Sequence, residues 1–118
     1  MAEKYELPKG ATAADFATRR WGGPTRLEER QVTIGTTVGD LLANNPRRVF
    51  WIAQNRGAAD ISTSNQRDVT STTGFLLAAT GGVQSMDAEE DGEAVTYARF
   101  AISGTAGQVV AIIEVMRV

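Results

Sequence analysis

The sequence predicts an all-β fold: an antiparallel β-sandwich or jelly-roll-like barrel of seven or eight strands, with an extended N-terminal arm. Two observations lead to this prediction. Short apolar segments alternate with turns rich in Gly, Asn, Ser and Thr over about 90 residues, as in β-sandwiches. The chain also lacks the helix–strand alternation of α/β proteins and any internal repeat of roughly 20–50 residues. Its 118 residues suit one such domain.

An arm of residues 1–26 is predicted to precede a β-domain of residues 27–118. The arm contains Pro and Gly breakers and has no long strand periodicity. Between the breakers, Ala11–Arg20 can form two or three helical turns, with Thr12 as N-cap and Asp15 completing a capping box. Such a short helix is marginal alone, so we expect it to pack on its own domain or on a neighbour.

The first half of the β-domain predicts three strands and one helical turn. Leu27–Ile34 and Arg47–Asn55 have the composition of strands. Between them, Thr37–Asn45 has apolar residues at helical spacing and ends before a proline, which predicts a helical turn. Ala59–Thr63 follows a short turn and is predicted to pair with Arg47–Asn55 as a hairpin.

The second half predicts surface loops and further strands. Ser62–Thr73 is polar and rich in Ser and Thr, which is typical of a surface loop. Asp87–Glu93 holds five carboxylates and is predicted to be an acidic loop. The predicted strands are Gly74–Ala79, Val83–Met86, Ala94–Tyr97, Arg99–Ile102 and Gln108–Val118.

Two of the predicted strands are apolar on both faces. In Arg47–Asn55, the side chains of Phe50 and Ile52 lie opposite that of Trp51. The last strand has Ile112 on one face and a second apolar row on the other. A sandwich strand usually exposes one polar face to water, so the second apolar face needs a cover. The arm of the same chain and a neighbouring subunit remain equal alternatives.

Composition excludes several classes of enzyme. The chain has no histidine and no cysteine, so Ser-His-Asp triads, Cys-His pairs and His- or Cys-ligated metals cannot form within it. A net charge of −2 argues against a nucleic-acid partner. No apolar segment is long enough for a signal peptide or a membrane span. We therefore expect a protein that is not an enzyme and needs no cofactor, nucleic acid or membrane.

Sequence motifs for ligand sites are weak. Asp87–Glu93 imitates the start of a calcium-binding EF-hand loop, but position 12 of such a loop would be Ala98 rather than an acid. A solvated or partner-facing loop is the favoured interpretation. The paired carboxylates have no predicted pocket for acid–base catalysis. The glycines at 81–82 and 104–107 lack the Lys-Ser/Thr of a phosphate loop and predict turns.

The arm carries the best candidates for partner contacts. It has five cationic side chains against three carboxylates, and its Arg19-Arg20-Trp21 sequence combines residue types that are frequent at interface hot spots. Arginine beside an aromatic ring also stacks on nucleic-acid bases, but the overall charge favours a protein contact. Phe16 is the one large apolar anchor of the helix. The predicted contact residues are therefore these four, with Phe50, Ile52 and Ile112 on the strand faces.

A series of short motifs runs along residues 44–117. Asn45–Ser62 holds an NP-x-R motif, an apolar strand ending in QN and a G-A-x-D-I segment. The further motif segments are Thr72–Leu77, Gly81-Gly82, Asp91–Val95, Arg99–Gly104 and Val109–Val115. In this arrangement of strands and turns, the chain resembles small structural proteins of tailed bacteriophage particles, such as capsid decoration (cement) proteins.

This resemblance implies a non-enzymatic virion protein that binds the outer capsid lattice through its arm and apolar strand faces. Its expected partners are the major capsid protein or other virion proteins and further copies of itself, with a trimer favoured. Its expected location is the capsid surface, after synthesis in the host cytoplasm. The alternative is a carbohydrate- or receptor-binding β-sandwich of a phage tail, for which exposed aromatic side chains are expected.

Overall fold

Eight strands form two antiparallel four-stranded sheets, which confirms the predicted all-β sandwich. The computed structural model describes residues 12–118, without the side chains of Phe16 and Ala17. The elements are α1 (Ala13–Trp21), β1 (Thr25–Ile34), β2 (Gly39–Leu42), β3 (Arg48–Asn55), β4 (Ile61–Ser64), β5 (Phe75–Leu77), β6 (Val83–Asp87), α2 (Ala88–Asp91), a 3₁₀ helix (Gly92–Thr96), β7 (Arg99–Ser103) and β8 (Gln108–Arg117).

Sheet A has the strand order β1-β8-β3-β6, and sheet B has the order β2-β7-β4-β5. The longest pairing joins β1 to β8 over ten residues, from Thr25 opposite Arg117 to Ile34 opposite Gln108. β1 begins two residues before the predicted domain boundary at residue 27.

The core lies between the two sheets and is built from the inward face of each. Trp51 is its largest side chain and is 1% exposed. The other core side chains are aliphatic: Ile34, Leu41, Leu42, Ala53, Ile61, Leu77, Val95, Ala101, Val110 and Ile112. Because both sheets contribute, burial of these apolar groups holds the sandwich together.

The predicted helix of the arm forms as α1. The Asp15 N–H donates to Thr12 Oγ1, and the Thr12 N–H donates to the Asp15 carboxylate at 2.8 Å, which completes the capping box. Gly22 ends the helix with a φ of 84°, a left-handed conformation that favours glycine. The preceding residues 1–11 lie outside the described chain.

The predicted helical turn at Thr37–Asn45 is wrong, because this segment contains strand β2. The pairing of β2 with β7 shifts register between Asp40 and Leu42. A β-bulge lets neighbouring residues face the same side, and Leu41 and Leu42 are each 1% exposed. The helical turn was predicted because these two adjacent core leucines give the segment an apolar spacing similar to that of a helix.

The predicted strand at Ala94–Tyr97 is also wrong. The acidic segment forms α2, capped by Asp87, whose carboxylate accepts from the Glu89 N–H at 2.8 Å. The 3₁₀ helix follows, and Val95 is its one buried residue. One buried apolar residue can be placed in the core by a tight turn, so its burial does not require a strand.

The predicted hairpin of Ala59–Thr63 with Arg47–Asn55 does not form, because β4 belongs to sheet B and pairs with β5 and β7. The chain changes sheets at a corner built around Asn55. Its Nδ2 donates to the carbonyls of Ala59 and Leu77, and its Oδ1 accepts from the Gly57 N–H. These three bonds hold a buried polar side chain at the corner and direct the chain into the other sheet.

Candidate protein-interaction surface

The outward face of sheet A, called here the outer face, is apolar along its two central strands. Residues alternate between the core and this face along β3 and β8. The pairing of the strands places Ile52 directly beside Ile113, and Phe50 beside Val115. The apolar side chains of this face are Leu27, Phe50, Ile52, Val83, Val109, Ala111, Ile113 and Val115.

Helix α1 is tied across one end of the outer face. Arg20 forms an ion pair of 2.5 Å with Asp87 on β6. The neighbouring carbonyl of Trp21 accepts from Nη1 of Arg117 on β8 at 3.1 Å. Strand β3 lies between β6 and β8, so these two contacts of α1 fall on the strands that flank it. Val115 at this end is 9% exposed although it faces outward, whereas Val83 at the far end is 52% exposed.

Glycines allow the close approach of the arm to β8. A Cβ atom on Gly23 would lie 2.6 Å from the Arg117 guanidinium. The Arg20 guanidinium also lies 5.3 Å from the Trp21 ring centroid, a cation–π distance. Arg20 of the arm thus contacts the acidic segment of its own chain.

The rest of the outer face forms an open groove of about 530 Å³, called here the sheet A groove. Its lining residues are Glu29, Arg30, Gln31, Ile52, Gln54, Val83, Ala111, Ile112 and Ile113. The aliphatic floor is bordered by polar side chains of β1 on one side and by Gln54 on the other. An apolar centre with a polar rim is the usual composition of a protein–protein interface.

The structure brings only some of the predicted contact residues to this surface. Phe50 and Ile52 lie on the outer face and are partly exposed. Arg19, Arg20 and Trp21 lie on α1, where Arg20 and Trp21 make the ties described above. The side chain of Phe16 lies outside the described part of the chain.

The structure places the predicted contact residue Ile112 in the core rather than on the outer face. Ile112 is 1% exposed and packs in the core. Strand alternation assigned it to the opposite face from Ile113 but could not say which face was inside, because both rows are apolar. Ile113 is the residue of β8 that faces outward beside Ile52.

A buried charge cluster on the inward side of sheet A was not predicted. Glu114 accepts from Arg30 at 2.6 Å and from Arg48 Nε at 3.4 Å. Arg48 is 1% exposed and also donates to the carbonyls of Ala43, Val95 and Tyr97. Burial lowers the pKa of Arg48, and the Glu114 carboxylate opposes that shift. The cluster joins β1, β3 and β8 to the loops at one end of the sandwich.

Two carboxylates of the acidic segment, those of Asp87 and Asp91, bind groups of the same chain. Asp87 caps α2 and pairs with Arg20, and a carboxylate oxygen of Asp91 accepts from the Asp87 N–H at 2.8 Å. Across residues 12–118, no three acidic side chains are grouped as a metal site requires. Nor does any helix in this range have the length and apolar character needed to cross a membrane.

Comparisons with known proteins show similarity to solved structures but identify no family. No family model matches the chain, and no curated protein matches it. One similar solved structure is that of Bacillus endospore appendages, described as forming a novel family of disulfide-linked pili. It is 8% identical, with a TM-score of 0.50 over 80% of this chain and 88% of that chain. The similarity shows a shared fold.

Proposed function

We propose that this protein is a non-enzymatic structural protein of a phage virion, and that it binds the outer capsid lattice as a decoration protein. The observation that carries the proposal is the sheet A groove, an apolar surface on a sheet face that in a solitary sandwich would be polar. The major capsid protein or another virion protein is the proposed partner, and a homo-oligomer, with a trimer favoured, is the proposed binding form.

The two ends of the outer face support different parts of this proposal. At one end, the Arg20–Asp87 ion pair and the Trp21–Arg117 hydrogen bond hold α1 over the sheet. At the other, Ile52, Val83 and their neighbours are open to a partner. The arm in this arrangement borders the groove and extends the surface that a capsid or a second copy can contact.

The fold neighbour is compatible with a role in assembly. That protein is described as forming disulfide-linked pili. The present 118 residues contain no cysteine, so contacts between copies through them would depend on noncovalent burial of apolar surface. Such contacts fit the composition of the sheet A groove.

The alternative, a glycan-binding module, has less support. Sugar platforms expose aromatic rings, and tryptophan is prominent among them. Trp51 lies inside the core and is 1% exposed. Trp21, the last residue of α1, is half-buried. Phe75 and Tyr97 are the large exposed aromatic side chains of the described residues, and they lie on different elements.

The proposal is tested on particles purified from cells that carry the gene. We expect mass spectrometry to detect the chain in the particles, and cryo-electron microscopy to show its two sheets on the outer capsid surface. Particles that lack the chain, or that hold it only in the tail, contradict the proposal.

Substitutions then test the surface itself. Ile52→Glu places a charge in the groove and should abolish binding to particles. Ile102→Glu is the matched control, because Ile102 is a partly exposed isoleucine of β7 in the other sheet. Equal occupancy of both variants on particles would contradict a role for the groove.

A further inference from the structure

A second cleft opens between the sheets at the edge formed by β5 and β6. These strands are the last members of sheets B and A, and the cleft between them, called here the seam cleft, has a volume of about 320 Å³. It is lined by Trp51, Phe75, Leu76, Gln84, Ser85, Met86 and Arg99. Phe75 and Leu76 at its mouth are 70% and 62% exposed.

Arg99 lines this cleft as a buried cation without an anion. Its side chain belongs to a residue that is 6% exposed, and no carboxylate in residues 12–118 lies within ion-pair distance of it. Its Nη2 donates to Thr63 Oγ1 at 3.0 Å, but its Nε–H has no partner. Burial lowers the pKa of Arg99, and no neighbouring charge offsets that cost. This contrasts with Arg48, which has Glu114.

A second unpaired donor belongs to Trp51, another residue that lines the cleft. The indole Nε1–H of Trp51 is buried and has no hydrogen-bond partner. The Arg99 guanidinium lies 5.6 Å from the centroid of the Trp51 ring. Buried donors are nearly always satisfied in folded proteins, by protein groups or by water, so two unpaired donors on residues of one cleft favour an acceptor there.

The side chains of Thr63 and Gln84 at the cleft already have partners. Thr63 Oγ1 donates to Gln84 Oε1 at 2.6 Å. Gln84 Nε2 in turn donates to the carbonyls of Phe75 and Leu76 at 3.3 and 3.1 Å. This network fixes the floor of the cleft and leaves the free donors to a ligand. The cleft volume is at the lower end of the range for small-molecule sites.

We propose that the seam cleft binds a small organic acid, with a carboxylate that accepts hydrogen bonds from Arg99 and Trp51 and an apolar body that contacts Phe75 and Leu76. A guanidinium matches a carboxylate in charge and fork geometry. The exposed apolar side chains at the mouth favour an anion that carries a hydrocarbon group over an inorganic ion.

The test is a titration of the ¹⁵N-labelled full chain with phenylacetate, followed by nuclear magnetic resonance. The chain has two tryptophans, so Trp51 reports on the cleft and Trp21 serves as an internal reference. We expect a saturable shift of the Trp51 indole peak with a Kd of about millimolar or tighter, and no shift of the Trp21 peak. No shift at Trp51 overturns the proposal and leaves the cleft to water.

Variants and probes separate the role of charge from that of shape. Arg99→Met should weaken phenylacetate binding about tenfold or more, and neutral phenylacetamide should bind about tenfold more weakly than phenylacetate to the unaltered chain. Arg67→Met is the control, because Arg67 is exposed and stacks on Phe100 at 4.4 Å, away from the cleft. Unchanged binding to Arg99→Met, or equal binding of the amide, overturns the proposal.

A last probe distinguishes a free acid from a protein-borne carboxylate. It is a capped peptide with one glutamate between two leucines, titrated in the same way. Weaker binding of the peptide than of phenylacetate supports a small organic acid. Tighter binding assigns the cleft to a protein partner and overturns the proposal in this form.

Discussion

Glu114 is the residue on which the buried charges of the sandwich depend. It is 6% exposed and is the carboxylate that faces both Arg30 and Arg48. Removing one partner of a buried ion pair leaves an uncompensated charge, which costs more than the pair itself contributes. We expect Glu114→Gln to lower the free energy of unfolding by about 3 kcal/mol or more, measured by urea denaturation.

The control for this substitution lies directly opposite on the neighbouring strand. Glu28 of β1 pairs in register with Glu114 of β8, but it is exposed and its ion pair with Arg26 is local. Glu28→Gln should change the free energy of unfolding by about 0.5 kcal/mol or less. Similar losses of unfolding free energy in both variants would show that the buried cluster stabilises the fold no more than the exposed pair does.

Asp15 gives the helix α1 a dependence on pH. Hydrogen bonds from the Thr12 backbone and side chain hold the pKa of Asp15 below its ordinary value of 3.8. Its cap therefore contributes fully above pH 3.8 and is lost as the pH falls through the lowered pKa of the folded state. Hydrogen exchange of the α1 amides should accelerate over that acidic range. Asp15→Asn should remove this pH dependence, and an unchanged profile in that variant would contradict the assignment.

Single residues also mark the limit of what the sequence could reveal. The capping box of Thr12 and Asp15 was predictable because both partners lie within four residues. The partner of Glu114 lies 66 residues away in Arg48, so its burial was not predictable from local pattern. The same limit explains Ile112: alternation separated it from Ile113, but the tertiary pairing decided which of the two faced the core.

At the scale of elements, α1 is held on sheet A by a few contacts near its C-terminus. The helix packs against α2, and Arg20 forms an ion pair with Asp87, the N-cap residue of α2 at the end of β6. The Arg20 side chain is 40% exposed, so the pair is partly screened by water. These contacts suggest a helix that opens locally before the sandwich does.

We therefore expect Arg20→Ala to accelerate hydrogen exchange in α1 severalfold while the strands keep their protection. The coupling with Asp87→Ala in a double-mutant cycle should be about 1 kcal/mol or less, because the partly exposed Arg20 side chain leaves the pair screened by water. Arg26→Ala, which breaks only the local pair with Glu28, is the control. Equal exchange in α1 of Arg20→Ala and the unaltered chain would contradict the docking role of the pair.

Elements whose apolar residues recur with one regular period were predicted correctly, and elements without such a period were not. β1, β3, β7 and β8 followed their alternation to within about two residues. β2 was hidden by its bulge, and α2 with the following 3₁₀ helix was hidden because caps and a single anchor hold them rather than a periodic face. The motif residue Asn55 marked a corner between sheets, although its place after a strand suggested a hairpin.

At the scale of the whole molecule, the second apolar face of sheet A involves both covers considered above, the arm of the same chain and a neighbouring subunit. α1 occupies the end of the outer face near Asp87 and Arg117, which leaves the sheet A groove without a cover from residues 12–118. Within residues 12–118, β1 is an edge strand of sheet A, and its charged side chains discourage strand addition there. The groove, rather than the edge, is therefore the surface for which we expect a second copy or a capsid protein.

The central claim is that the sheet A groove is an assembly surface, and native mass spectrometry at micromolar concentration tests it most directly. The account predicts an oligomer for the unaltered chain and for Ile102→Glu, and a folded monomer for Ile52→Glu, with folding checked by circular dichroism. A monomeric unaltered chain, or an oligomer that persists in Ile52→Glu, would contradict the account.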